Sequence, residues 1–306
     1  MGTQRRYSEI MHKKFRFIID EQLNDCALWQ LLTNQFRKHS DDCDNGWRGE
    51  FWGKLMRGAC LIYQYVQDEE LYKTLEATVN DLLSTQDSFG RISSYSQSCE
   101  FGDWDIWGRK YVMLGLEYFH EICKSKPLRK RITKALELQA DYLIRHIGKG
   151  KIPIDQTSRF WSALNSTSVL QPIVRLYALT GDIRYYDYAK ELIETQGAEE
   201  ENIFALAYED VKSPYEYPVV KAYEMISCFE GLLDFYRVSN EEKCLRTCVR
   251  FADKVLSTDF TVIGGSGCKE ELFDNSMLKQ INILIIPGRV LIRIIARLRK
   301  RKRYNP

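Results

Sequence analysis

Apolar positions recur along this chain at helical spacing, and they do so in blocks that repeat. Within 182–194, Ile183, Tyr186, Ala189 and Ile193 fall three or four apart, the period of one helix face and not the alternation of a strand. Tyr63, Phe119, Tyr177 and Tyr236 occupy matching places in four such blocks, separated by 56, 58 and 59 residues. In each block the aromatic ends one apolar-periodic segment, a short polar turn follows, and a second amphipathic segment begins. In "LTGD", Gly181 suits a left-handed helix C-cap and Asp182 the N-cap of the next helix. Each block therefore predicts a helical hairpin.

The repeat is longer than the roughly 33–47 residues of common solenoid units, so each hairpin must also carry long loops. Loops gathered at one end of a ring of hairpins are where a ligand site is built. The predicted fold is all-α, an (α/α)6 toroid of two concentric helix rings. Four hairpins and a further helix at 27–39 make about ten of the twelve helices that closure needs, so an incomplete toroid is expected. "FTVI" at 260–263 is too short to argue for a sheet.

Composition sharpens this picture at the ends. Of 44 Lys and Arg, nine lie from Lys279 onward with no acid among them, which leaves residues 1–278 with 35 basic and 42 acidic residues, a net of −7. An acidic body is a poor partner for nucleic acid or an anionic membrane surface. The expected organisation is an acidic body over 1–276 and an atypical basic tail over 277–306. No run of eighteen apolar residues occurs, so no membrane span is expected. Nine cysteines, an odd number without a CxxC pair or a secretory h-region, predict free thiols and a cytoplasmic protein. Cys244 and Cys248 lie one helical turn apart, but with no His nearby they read as a core-facing pair.

Candidate chemistry sits at the hairpin ends. "EFGDWDIWGRKY" crowds Asp103, Trp104, Asp105, Trp107, Arg109 and Lys110 where a loop becomes a helix. An Asp there can simply cap the helix. Two indoles with charged groups between them can also stack on a sugar ring and bond its hydroxyls. "GEFWGKLMRGA" (49–59) sets Gly49 and Gly53 in a bulky helix, which suits either close packing or ligand approach. "STQDSFGRISSY" (84–95), with Gln86, needs no role beyond a turn. Lys221 and Glu224 are three apart and could form an exposed ion pair. "VIGGSGCKEELFDNS" (262–276) places Glu270 or Glu271 after a glycine-rich turn, where a general acid could work.

Six motifs in one order, "GEFWGKLMRGA", "LLSTQDSFGRI", "WDIWGRKYVMLGL", "LYALTGDIRYYDYA", "KAYEMISCFEGLLDFY" and "VIGGSGCKEELFD", resemble the β-L-arabinofuranosidase-type glycoside hydrolases, glycoside hydrolase family 127 and its relatives. The resemblance runs from about residue 45 to 276. It implies an (α/α)6 barrel and hydrolysis of terminal β-L-arabinofuranosides or related sugars of plant-type glycans with retention, through a cysteine held next to zinc. It makes Glu271 the acid/base, and it puts Trp104, Trp107, Arg109 (where the family has His), Lys110, Ser166 and Lys221 in the substrate pocket. The resemblance makes 1–276 the family's catalytic barrel; its zinc-ligand and nucleophile segment has no counterpart after 276, so the tail over 277–306 reads as a truncation or frame-change product, and no bound zinc and impaired turnover are expected. The expected partner is a small carbohydrate, with neither nucleic acid nor membrane, and a homodimer is allowed. Two other readings stay open: a non-catalytic toroid that binds a carbohydrate or a partner, and an (α/α)6 enzyme of other chemistry. The latter leans on His and Asp pairs, and this chain has only four His.

Overall fold

The computed structural model describes residues 9–195, 201–260, 265–267 and 271–275. Among these residues the regular elements are helical. Isolated bridges join Ile147 to Ile152, Lys221 to Leu272 and Phe260 to Ser266, and none extends into a strand. In chain order the helices are α1 (Glu9–Ile18), α2 (Cys26–Lys38), α3 (Gly49–Val66), α4 (Glu69–Leu83), α5 (Asp105–Ile122) and α6 (Lys126–His146). They continue with α7 (Leu164–Thr167), α8 (Leu170–Thr180), α9 (Ile183–Thr195), α10 (Ile203–Glu209), α11 (Ala222–Ser239) and α12 (Glu242–Thr258). The four expected hairpins are α3/α4, α5/α6, α8/α9 and α11/α12. Helix α1, which buries no residue completely, and the short α7 and α10 add to the sequence reading.

The repeated aromatic has one structural cause. In three hairpins it lies one turn before the end of the first helix, where its carbonyl accepts the N–H of a left-handed cap. Gln67 (φ 58°) donates to Tyr63, Gly181 (φ 71°) to Tyr177 and Asn240 (φ 56°) to Tyr236, each at 2.8 Å. This closure satisfies an orphan helix carbonyl and reverses the chain. In the first two of these the ring packs on an aromatic nine positions later in the returning helix. The centroids are 5.5 Å apart for Tyr63 and Tyr72, and 5.2 Å for Tyr177 and Tyr186.

The helices form two compact units, residues up to 100 with 111–142, and 101–110 with the residues from 143 onward. In the first unit, the fully buried Asp41 accepts from the backbone N–H groups of Arg48 and Gly49, from the Ser94 hydroxyl and from the Arg48 guanidinium. A β-carbon on Gly49 would lie 2.3 Å from Ser94 Oγ. The Gln86 amide donates to the carbonyls of Gly90 and Ala135, pinning the 84–95 turn to α6. Both segments thus serve packing. In the second unit, Phe229 and Phe251 stack at 3.7 Å, with Phe204 and Phe273 edge-on to the pair. Cys248 is fully buried there and donates to the Phe229 carbonyl, as a core cysteine does.

Two glycines of α3 carry opposite expectations. A β-carbon on Gly53 would fall 1.9 Å from the Tyr111 carbonyl oxygen, whereas one on Gly58 would meet nothing within 4 Å. Gly53→Ala is expected to cost roughly 2 kcal/mol or more through overpacking. Gly58→Ala should stabilise by roughly 0.5–1 kcal/mol by removing a flexible residue from a helix interior. Urea unfolding of the two variants checks both signs.

Candidate functional site

The seven residues singled out from the sequence all belong to the second unit. The chain enters α5 through a turn in which Phe101 (φ 56°) and Asp103 (φ 47°) are left-handed. Asp105 holds that turn: one carboxylate oxygen accepts the Phe101 N–H at 3.0 Å and the other pairs with Arg109 Nε at 2.9 Å. Both side chains of this pair are fully buried, and the guanidinium lies 5.2 Å over the Phe101 ring. Arg109 therefore braces the loop against the helix.

Trp104 and Trp107 are together, but not as an open double platform. Trp107 is buried, with Lys110 Nζ 4.3 Å from its ring centre and Tyr223 edge-on at 5.4 Å. Trp104 is half-buried, stacked on Phe160 at 5.3 Å and edge-on to Trp107. A third indole, Trp161, is also half-buried and has Lys221 Nζ 5.2 Å over its ring.

Trp161 opens an unusual run. It, Ser162 and Ala163 have φ of 55°, 47° and 54°, three successive left-handed residues without a glycine. Such conformations cost about 1 kcal/mol or more each and concentrate at functional sites. The run delivers α7, whose Asn165, Ser166 and Thr167, with the following Ser168, are buried to 1% exposure or less. Asn165 donates to the Asp103 carbonyl at 2.7 Å, which ties this interior to the turn before α5. Ser166 Oγ and Asn165 Oδ1 are buried with no hydrogen-bond partner among the described residues.

Lys221 and Glu271 meet at the head of α11. Leu272 bridges Lys221, the Phe273 N–H donates to the Val220 carbonyl at 2.8 Å, and the Asp274 N–H donates to Asp259 at 3.0 Å. Phe273 is buried against Phe251. Glu271 itself is left-handed (φ 62°), and its carboxylate lies 3.1 Å from Lys221 Nζ. The Glu271 side chain remains 38% exposed, so it is open to a ligand. Glu270 and Cys268 lie outside the described residues.

Lys221 is thus paired with Glu271, and the exposed Lys221–Glu224 pair that the spacing allowed is not what forms. Glu224 points inward at 2% exposure, and its Oε2 has no hydrogen-bond partner among the described residues. Burial drives its carboxyl up to about 7. Glu271 adds to this rise, while Lys221 and Lys110 oppose it. One turn on, the Cys228 thiol donates to the Leu164 carbonyl at 3.4 Å, and burial pushes it up to about 12, so it is protonated and inert. Sequence reasoning did not single out Trp161, and it read Glu224 only as half of an exposed ion pair. The available signal was a carboxylate inside the largely apolar run "AYEMISCF".

The sequence profile of the β-L-arabinofuranosidase catalytic domain of glycoside hydrolase family 127 matches residues 5–279. The chain belongs to this family. Among solved structures this family 127 chain is similar to a protein titled glycoside hydrolase, at 17% identity and a TM-score of 0.51, over 78% of this chain and 37% of that one. It is also similar to a family 127 β-arabinofuranosidase, at 17% identity and 0.57, over 79% and 40%. The family 127 β-L-arabinofuranosidase of Geobacillus stearothermophilus T6 aligns at 13% identity and 0.57, over 87% and 45%. These likenesses show the all-α fold, and the chain spans less than half the length of the proteins it matches. No curated protein matches the sequence. Among the described residues no three His, Cys, Asp or Glu side chains gather to hold a metal ion, so no step is derived through the zinc that family 127 implies.

Glu224 makes stability depend on pH. Its carboxyl ionises near 4.5 ordinarily and near 7 in the fold, so between these values the folded chain holds more protons than the unfolded one. Stability from this group is full below pH 4.5 and is lost as the pH rises to 7, by up to about 3 kcal/mol. Thermal melts of Glu224→Gln across that window are expected to show a flatter slope than the wild type. An unchanged slope would show that the carboxyl is not held neutral.

Proposed function

We propose that this chain recognises a terminal β-L-arabinofuranosyl or closely related sugar residue, with Glu271 as the general acid/base of a retaining hydrolysis. The observation that carries this reading is the pairing of Glu271 with Lys221, on a left-handed backbone clipped to the head of α11. A partly exposed carboxylate on a rigid support is what proton transfer to a leaving glycosidic oxygen requires. The half-buried faces of Trp104 and Trp161 suit the apolar face of a sugar ring, and the Ser166 hydroxyl and Lys221 suit its hydroxyls. Lys110 and Trp107 support that wall from beneath, and Arg109 fixes the turn that carries it. All eight described cysteines are free thiols, in keeping with a cytoplasmic setting, and among the described residues no helix is long and apolar enough to cross a membrane.

One observation favours a second reading, a binding module without turnover. Cys228, the thiol that feels both Glu224 and Lys110, is buried and protonated and cannot attack a sugar carbon. Release of p-nitrophenol from p-nitrophenyl β-L-arabinofuranoside, with zinc supplied, separates the two. The first reading expects release that falls at least about 100-fold in Glu271→Gln. Saturable L-arabinose binding without any release would establish the second. Release that survives Glu271→Gln would remove Glu271 from the chemistry.

A further inference from the structure

The four charged side chains around the head of α11 are not equivalent. Lys221 reaches Glu271, and Lys110 lies over the Trp107 ring. Glu224 is the most deeply buried acid among them, on the first turn of α11, and one of its oxygens is left without a partner by every described residue. An ionised carboxylate placed so would be costly, and an unsatisfied acceptor is costly too. Natural folds keep such a group where something else completes it.

We propose that Glu224 is the second carboxyl group of the sugar site, and that its unpartnered oxygen is completed by a hydroxyl of the bound sugar. The proposal rests on the reading of this site as a sugar pocket and deepens it by naming a residue that recognises the ligand. Held neutral, Glu224 has one O–H to donate and a carbonyl oxygen to accept, so it fits a hydroxyl, which can do both. The groups that face it are Lys221 and Glu271 at the mouth, Lys110 from α5, and Cys228 one turn along its own helix. The two lysines favour its ionised form and Glu271 opposes it, while burial outweighs all three. The two carboxyls therefore divide the work: Glu271, paired with Lys221, faces the leaving group, and Glu224 grips the ring. Loss of the Glu224 proton removes the donor and sets a second negative charge beside Glu271, so the grip weakens as the pH rises through neutrality.

Calorimetric titration with L-arabinose from pH 5.5 to 8.5, alongside carbon-13 NMR of glutamate-labelled protein, tests this. In the wild type one carboxyl should titrate near neutrality, and sugar affinity should fall with it. Glu224→Gln, which keeps a donor and an acceptor, should abolish that resonance shift and flatten the affinity profile while retaining binding. Glu224→Leu should lose about tenfold in affinity, the worth of a buried hydrogen bond left unmade. Lys221→Met should raise the midpoint of the titrating carboxyl, and Glu271→Gln should lower it, which checks the assignment in proteins with Glu224 intact. Two results overturn the proposal: sugar binding whose pH profile is the same in Glu224→Gln, or an unchanged affinity in Glu224→Leu. Absence of L-arabinose binding by the wild type, with the Glu224 carboxyl still titrating near neutrality, would instead overturn the sugar reading of the pocket.

Discussion

The site depends on one short clasp. Residues 272 and 273 bond to the backbone at 220 and 221, where α11 begins, and this contact, with the Asp274 N–H on Asp259, brings a distant stretch of sequence to Lys221. The pairing needs little from side chains. A left-handed Glu271 turns the chain so that its carboxylate faces the lysine while Phe273, two positions on, faces the core. The polar interior of α7 and the loop at 101–104 are arranged around the same second unit, tied together by the bond from Asn165 to the Asp103 carbonyl.

Charge is what this unit has to accommodate. Asp105 and Arg109 solve the problem by mutual neutralisation in full burial, the arrangement in which removal of either partner is most damaging. Lys110 lies against an aromatic face, which offers a cation partial compensation. Glu224 solves it differently, burial raising its carboxyl to about 7. Four neighbouring ionisable groups handled in three ways mean that the electrostatics here are a property of the group, and that a change at one residue is felt by the others.

The hairpins were legible in the sequence because a single requirement wrote them. The apolar period and the repeated aromatic both follow from closing a helix pair: the cap bonds fix where the chain reverses, and the rings of Tyr63 and Tyr177 pack on Tyr72 and Tyr186 of the returning helices. Trp104, Trp107 and Lys110 stood out in the sequence because charged and aromatic residues crowd that loop, and Lys221 and Glu271 through the family resemblance; the structure places all five in the second unit. Glu224 did not stand out, since its spacing from Lys221 fits an ordinary surface pair and only the direction of α11 decides which way it points. The indole of Trp161 was hidden for another reason. Its exposure follows from three successive left-handed residues, and no local sequence preference predicts such a conformation for Trp, Ser and Ala.

Phe273 has a consequence beyond packing. Its ring is seated edge-on against Phe251, inside the aromatic stack that also holds Phe229 and Phe204. Glu271 and a keystone of the last hairpin are therefore two residues apart on one strip of chain. Packing of α11 on α12 and placement of Glu271 beside Lys221 are coupled, and substitutions deep in that stack will loosen the Lys221–Glu271 pair before they unfold the helices.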